Sequence, residues 1–154
     1  MATISAYLDE RDIRYERVSD NDWAIQLHGE KKLSITALFA LRERTLQVES
    51  FFMRRPAENH AEVYGLLLRT NRRVYGVRFA LDDIGDIYLV GRFAIETITA
   101  DELDRMLGAI LSISDELFMP VIEIGFASYL ERDMAWRAAQ GIPQTLPPQK
   151  LPPA

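Results

Sequence analysis

The stretch RFALDDIGDIYLVGRF, Arg78 to Phe93, places three aspartates around one glycine between two apolar runs. Asp82, Asp83 and Asp86 have two readings. As oxygen ligands they would hold a hard cation; as turn residues they would reverse the chain between two strands. Parity separates the two. Side chains alternate along an extended chain, so Val77, Phe79 and Leu81 share one face, and Ile87, Leu89 and Phe93 fall on odd numbers as well. Antiparallel partners have a constant index sum, so odd meets odd only across a loop of odd length. Asp83-Ile84-Gly85 is such a loop, setting Leu81 opposite Ile87 and Asp82 opposite Asp86. A three-residue hairpin loop ends in a left-handed residue, which Gly85 supplies without strain. Aspartates beside a turn bond nearby amides. A calcium loop instead alternates oxygens over about twelve residues and closes on a bidentate glutamate. Ile84 interrupts the acids here and no such glutamate follows. The stretch reads as a hairpin, and no metal site is expected.

The same arithmetic works upstream. Leu33, Ile35, Ala37, Phe39 and Leu41 alternate; after Arg42-Glu43-Arg44 the apolar positions become even, at Leu46, Val48 and Phe52. A four-residue loop, Arg42 to Thr45, pairs Leu41 with Leu46 and Phe39 with Val48, and loops of this length need no glycine. Ahead of these, Trp23, Ile25 and Leu27 alternate with Ala24, Gln26 and His28, and HGEKK follows as a turn. Five strands are expected.

Helices fill the intervals. Thr3 is placed to cap a short helix carrying Ile4, Tyr7 and Leu8. Asn59 and Glu62 form a capping-box pattern opening a helix that runs to Asn71, a residue suited to the left-handed C-terminal position. The apolar residues of this helix, Val63, Tyr64, Leu66, Leu67 and Leu68, cover an arc of about 200°, wider than the roughly 100° stripe of a surface helix. It therefore has two sides to bury. Thr99 and Glu102 form a second capping box, opening a long helix with Leu103, Met106, Leu107, Ile110, Leu111, Leu117 and Phe118 on one face. Pro120 either kinks this helix or begins another. A further helix is expected over Tyr129–Ala139. From Gly141 the chain holds five of its seven prolines. The expectation is one domain over 1–140 and a disordered proline-rich tail over 141–154 without a PxxP pattern.

Composition agrees with one soluble domain: 154 residues, 48% hydrophobic and 27% charged, with no cysteine for disulfide or thiolate chemistry. No apolar run approaches the roughly 20 residues of a membrane helix, and the N-terminus lacks signal-peptide features. No membrane association and a cytoplasmic location are expected. Net charge is −5, distributed as −4 over 1–30, +6 over 31–78 and −7 over 79–154. The basic block falls at expected element ends, without interleaved aromatics, so it reads as a solvated rim rather than a nucleic-acid surface.

Chemistry is not signalled. There is no phosphate loop, zinc-protease helix, nucleophile elbow or dinucleotide fingerprint. His28 reads as a rim residue and His60 as a solvated helix-start residue. Asp115 and Glu116 are sequence neighbours that do not share a helix face, and read as solvated charge. Neither enzymatic activity nor a cofactor is expected.

Two stretches carry a resemblance. In LLLRTNRRVYGVRFALDDIGDIYLVGRF, Leu66–Phe93, a leucine-rich helix closes on Asn71, Gly76 follows, and a hairpin turns on Asp82 and Gly85. ISAYLDERDIRYERVSDNDWAIQL, Ile4–Leu27, is the second. Both, and the element order, resemble the bacterial YbjN-like family and its wider relatives, the small chaperones of type III secretion, over Thr3–Ala139. The resemblance implies an α+β fold of order α-β-β-β-α-β-β-α, with an antiparallel five-stranded sheet and its helices on one face. It also implies a homodimer through the middle helix and the binding of extended partner segments. Tyr64, Leu67 and Leu68 are the candidate dimer residues; the alternative is that all three fill the core. On the other sheet face Leu38, Phe51, Tyr88 and Val90 form an apolar patch among polar residues. It is a candidate partner site, or else an ordinary half-polar face or one covered by the C-terminal helices. The expectation is a non-catalytic protein-binding adaptor or regulator with a protein partner; the alternative is a sensor of small ligands.

Overall fold

The computed structural model describes residues 2–144 and residue 151. The elements run α1 (Ala2–Glu10), β1 (Tyr15–Ser19), β2 (Asp22–Leu27), β3 (Ile35–Leu41), β4 (Thr45–Met53), α2 (His60–Thr70), β5 (Arg78–Leu81), β6 (Ile87–Ala94), α3 (Ala100–Gly125) and α4 (Ala127–Gln140). A single antiparallel sheet has the order β1-β2-β3-β4-β6-β5.

Both registers expected from parity are present. Leu41 lies opposite Leu46 and Phe39 opposite Val48, and Arg42 donates its amide to Thr45 across the loop at 2.8 Å. Leu81 lies opposite Ile87. Asp82 and Asp86 are joined through Asp82 N to Asp86 O at 3.0 Å, and Gly85 has φ +92°. Inward residues of β2, β3, β4 and β6 (Trp23, Ile25, Phe39, Leu46, Val48, Ile87, Leu89) meet Leu103, Met106, Ile110, Leu117 and Val121 of α3 in one core. Leu8 of α1 and Val63 and Leu67 of α2 close the same side. The helices thus lie on one face of the sheet, as expected for the fold.

The strand count is six, not five. The addition is β1, whose residues are exposed apart from half-buried Tyr15, so no alternating apolar pattern marks it. It is held by pairing with β2, Tyr15 opposite Ile25 and Arg17 opposite Trp23, and by the Arg17 guanidinium over the Trp23 ring at 4.9 Å. Pro120 lies inside α3, which runs unbroken past it.

Cap assignments fare unevenly. Thr99 accepts from the Glu102 amide at 3.1 Å, but Glu102 turns its own carboxylate to Tyr75. Thr3 already lies within α1 instead of preceding it. Asn59 is left-handed (φ 51°) and caps nothing with its side chain, donating instead to the carbonyl of Ile124. Asn71 is right-handed, and its amide group spans the backbone of Phe79, accepting from its N–H at 2.7 Å and donating to its carbonyl at 3.2 Å. In both asparagines a tertiary tie outcompetes the local cap.

The expected disordered tail falls largely outside the described residues. Within it, Gly141 (φ +69°) reverses the chain after α4, Gln144 donates to the carbonyl of Met134, and Leu151 is half-buried against the core.

Candidate functional site

Among the described residues no helix covers the opposite face of the sheet, and the register fixes which residues share it. One cross-strand row runs Ala24, Leu38, Glu49, Val90, Arg78. A second runs Ala40, Gln47, Arg92, and a third brings Phe51, Tyr88 and Ala80 together. All four expected patch residues therefore lie on one face. Leu38, Tyr88 and Val90 are half-buried and Phe51 is 43% exposed. Phe51 and Tyr88 meet edge to face, ring centroids 5.4 Å apart, which spreads an apolar surface over two strands. Burial, and then the charges of Asp82, Asp86 and Glu49, raise the Tyr88 hydroxyl above its usual pKa, so the ring presents a neutral O–H. Leu38 and Val90 flank a groove of about 620 Å³ whose rim carries Arg42, Arg78 and Arg92.

The three candidate dimer residues divide. Leu67 is 3% exposed and belongs to the core. Leu68, one residue on, is 67% exposed, and Tyr64 is half-buried. Tyr64, Leu68 and the upper side of Leu67 line an apolar groove of about 290 Å³ with Phe79, Ala80 and Leu81 of the edge strand β5. Leu81 is 47% exposed despite its inward parity, because it is the last residue of an edge strand. The outward backbone groups of Phe79 are taken by Asn71, which limits how far another strand could pair with β5.

The remaining polar groups serve the fold. Asp82 Oδ1 accepts from the amides of Ile84 at 3.1 Å and Asp86 at 2.8 Å, and Asp86 Oδ1 accepts from the Arg55 amide at 2.8 Å. Asp82 and Asp86 are thus turn ligands of the backbone. Among the described residues no group of three or more metal-ligating side chains comes together. His60 is half-buried rather than solvated, and its Nε2–H donates to the Pro56 carbonyl at 2.7 Å. His28 is exposed at the rim, with Nδ1 3.1 Å from the Leu33 carbonyl. Asp115 and Glu116 are not idle surface charge. Asp115 accepts from the Lys31 and Lys32 amides at 2.6 and 2.9 Å, tying the β2–β3 loop to α3, and Glu116 pairs with Arg73. Sequence reading missed these ties because they join residues more than forty positions apart.

Residues 1–123 match the family model described as "YbjN: Putative bacterial sensory transduction regulator". The chain belongs to the YbjN family. Uncharacterized proteins of Mycobacterium tuberculosis and Mycobacterium leprae are 45% and 40% identical to this YbjN-family chain over 117 residues, covering 76% of it. The matched region spans 64% of the length of those relatives. Among solved structures, YbjN from E. coli is similar with a TM-score of 0.52 at 18% identity, covering 75% of this chain and 89% of that one. The heterodimeric ExoU-SpcU complex from the type III secretion system of Pseudomonas aeruginosa gives a TM-score of 0.56 at 18% identity, covering 75% of this chain and 94% of the matched one. The ExsC-ExsE complex gives 0.55 at 10% identity, covering 77% and 90%. At these identities the likeness establishes the fold alone. Among the described residues no helix is long and apolar enough to cross a membrane.

Proposed function

We propose that this YbjN-family chain is a non-catalytic protein-binding module, an adaptor or regulator working in the cytoplasm, that docks an extended partner segment on its open sheet face. The observation that carries this reading is the apolar patch of Leu38, Phe51, Tyr88 and Val90, set on a face that no helix covers among the described residues. A monomeric domain keeps such patches small unless they are used. An extended segment suits a ribbed sheet surface, because alternate side chains can seat between the rows while the others stay in water. The likeness to ExoU-SpcU and ExsC-ExsE, both solved as complexes, supports the reading.

We further propose a homodimer through the α2–β5 groove, with Leu68 and Tyr64 as contacts and Leu67 as the floor beneath them. This leaves the open face free in each subunit. A second reading, a regulator that binds a small ligand, is favoured by one feature: a cleft of about 420 Å³ between the α2–β5 connection and α3, walled by Arg73, Tyr75, Arg105 and Glu116. Its two arginines are already paired, with Glu116 and Glu102 respectively, which weakens it as an anion site.

The experiment is affinity purification of wild type and Val90→Asp from cells that express the protein naturally. A protein that co-elutes stoichiometrically with wild type and is lost from the variant, at unchanged thermal stability, is the expected result. Retention by Val90→Asp would remove the open face as the docking site. A shift in melting temperature with a small metabolite, and no protein partner, would favour the second reading.

A further inference from the structure

Positive charge gathers at one end of the open face. Arg42, Arg78 and Arg92 come from three separate stretches of chain and rim one groove, whose floor includes Leu38, Ala40 and Val90. Register brings them together: Arg78 is opposite Val90, Arg92 lies two residues further along β6, and Arg92, Gln47 and Ala40 share a row. Their charges are not equally spent. Arg42 is paired with Asp22 at 2.7 Å. Arg78 donates through Nη1 to the carbonyls of Val74 and Val77 at 2.5 and 2.7 Å, neutral acceptors that fix the guanidinium without cancelling its charge. Arg92 is exposed and enters no ion pair among the described residues. One further anion lines the groove, Glu49, set between Leu38 and Val90. A chain with net charge −5 thus holds two arginines that enter no ion pair among the described residues, beside an aliphatic floor at the edge of the surface proposed for docking.

Resting on that docking reading, we infer that the partner segment is acidic as well as apolar: its apolar side chains seat on Leu38, Ala40 and Val90, and a carboxylate beside them is taken by Arg92 and Arg78. A guanidinium matches a carboxylate through two parallel N–H donors, and an apolar floor strengthens such a pair relative to open water. Arg78, already held by two carbonyls, is pre-organised and loses little side-chain freedom on binding. Glu49 stands between Leu38 and Val90 and repels a carboxylate placed over it, so the acid of the segment is placed beside Arg78 and Arg92 instead. A nucleic-acid backbone fits less well, because the floor offers no ring for a base to stack on.

The test is selection of a phage-displayed random twelve-residue peptide library on the full chain, followed by fluorescence anisotropy with the selected peptides made synthetically. The expected consensus combines two or more apolar residues with at least one Asp or Glu. Exchanging that acid for its amide, or Arg92→Gln in the protein, should weaken binding at least fivefold. The double change should cost little more than either alone, because both remove the same pair. Peptides whose binding is lost in Val90→Asp but that show no acidic enrichment, or are indifferent to Arg92→Gln, would overturn the acidic inference and leave the docking reading standing. Selected peptides that bind Val90→Asp as well as wild type would overturn both. Displacement of the peptides by a single-stranded oligonucleotide, lost in Arg92→Gln, would reassign the groove to nucleic acid.

Discussion

Asp82 and Asp83 are adjacent, both exposed and both acidic, yet the structure gives them different duties, and the contrast tests the hairpin directly. Asp82 Oδ1 receives two backbone amides, from Ile84 at 3.1 Å and Asp86 at 2.8 Å, whereas no hydrogen bond ties Asp83 to another described residue. Asp82→Ala removes the acceptor of both bonds. A hydrogen bond to a charged group contributes roughly 1.5–3 kcal/mol when sheltered, but this loop is solvated and water can replace much of each bond. A loss of about 1–2 kcal/mol is therefore expected, which for a domain of this size lowers the melting temperature by roughly 2–8 °C. Asp83→Ala should stay within about ±0.5 kcal/mol, the range of featureless surface positions. Asp82→Asn, which keeps an acceptor without the charge, should fall between. The assay is urea and thermal unfolding of the three variants, in chelator and again with millimolar calcium, magnesium or manganese. Equal losses in Asp82→Ala and Asp83→Ala would refute the turn reading. So would a saturable stabilisation of wild type by a divalent ion that both variants abolish, since a cation site would need the carboxylates together.

Leu68→Asp puts a charge on the exposed side of α2 without entering the core, so light scattering should show a wild-type dimer and a variant monomer of unchanged helicity; a wild-type monomer across the micromolar range would dismiss the α2–β5 interface. Asp104 accepts from the Tyr7 hydroxyl and the Arg11 guanidinium, which hold its carboxyl below the usual aspartate range. A depressed folded-state pKa stabilises above the unfolded value near 4 and is lost as pH falls through the lower folded value. Denaturation midpoints of Asp104→Asn between pH 7 and pH 2 should accordingly fall less steeply than wild type, and parallel curves would count against the linkage. Ser114 is buried in α3 with no partner for its hydroxyl among the described residues. Ser114→Ala should be neutral or stabilising by up to about 1 kcal/mol in urea unfolding, and a loss beyond that would mean the hydroxyl is satisfied.

What was legible in the sequence, and what was not, follows the range of the interactions. The turns at Arg42–Thr45 and Asp83–Gly85 could be placed because strand alternation carries register along the chain, so Leu41 and Leu46, or Leu81 and Ile87, are fixed by counting. Tyr15–Ser19 escaped because an exposed edge strand needs no apolar alternation; its order comes from β2. Asn59 and Asn71 stand at the two cap positions of α2 that the sequence indicates, but their side chains serve Ile124 and Phe79, partners that local patterns do not contain. Leu67 and Leu68 share a helical apolar arc, and which one is covered depends on where β5 and α3 lie. The patch of Leu38, Phe51, Tyr88 and Val90 was accessible from parity alone. The arginine rim was not, since Arg42, Arg78 and Arg92 become neighbours only once β4 is known to pair with β6.

Docking on the open sheet face is tested most directly by site-specific photocrosslinking. A photoreactive phenylalanine analogue placed at Tyr88, and separately at Glu123 on the helical side, probes both surfaces of the same folded domain in the cells that make it. The account predicts one discrete crosslinked protein from position 88 and none from position 123, with the crosslink at 88 abolished by Val90→Asp. The same crosslinked species from position 123, with position 88 silent, would contradict it.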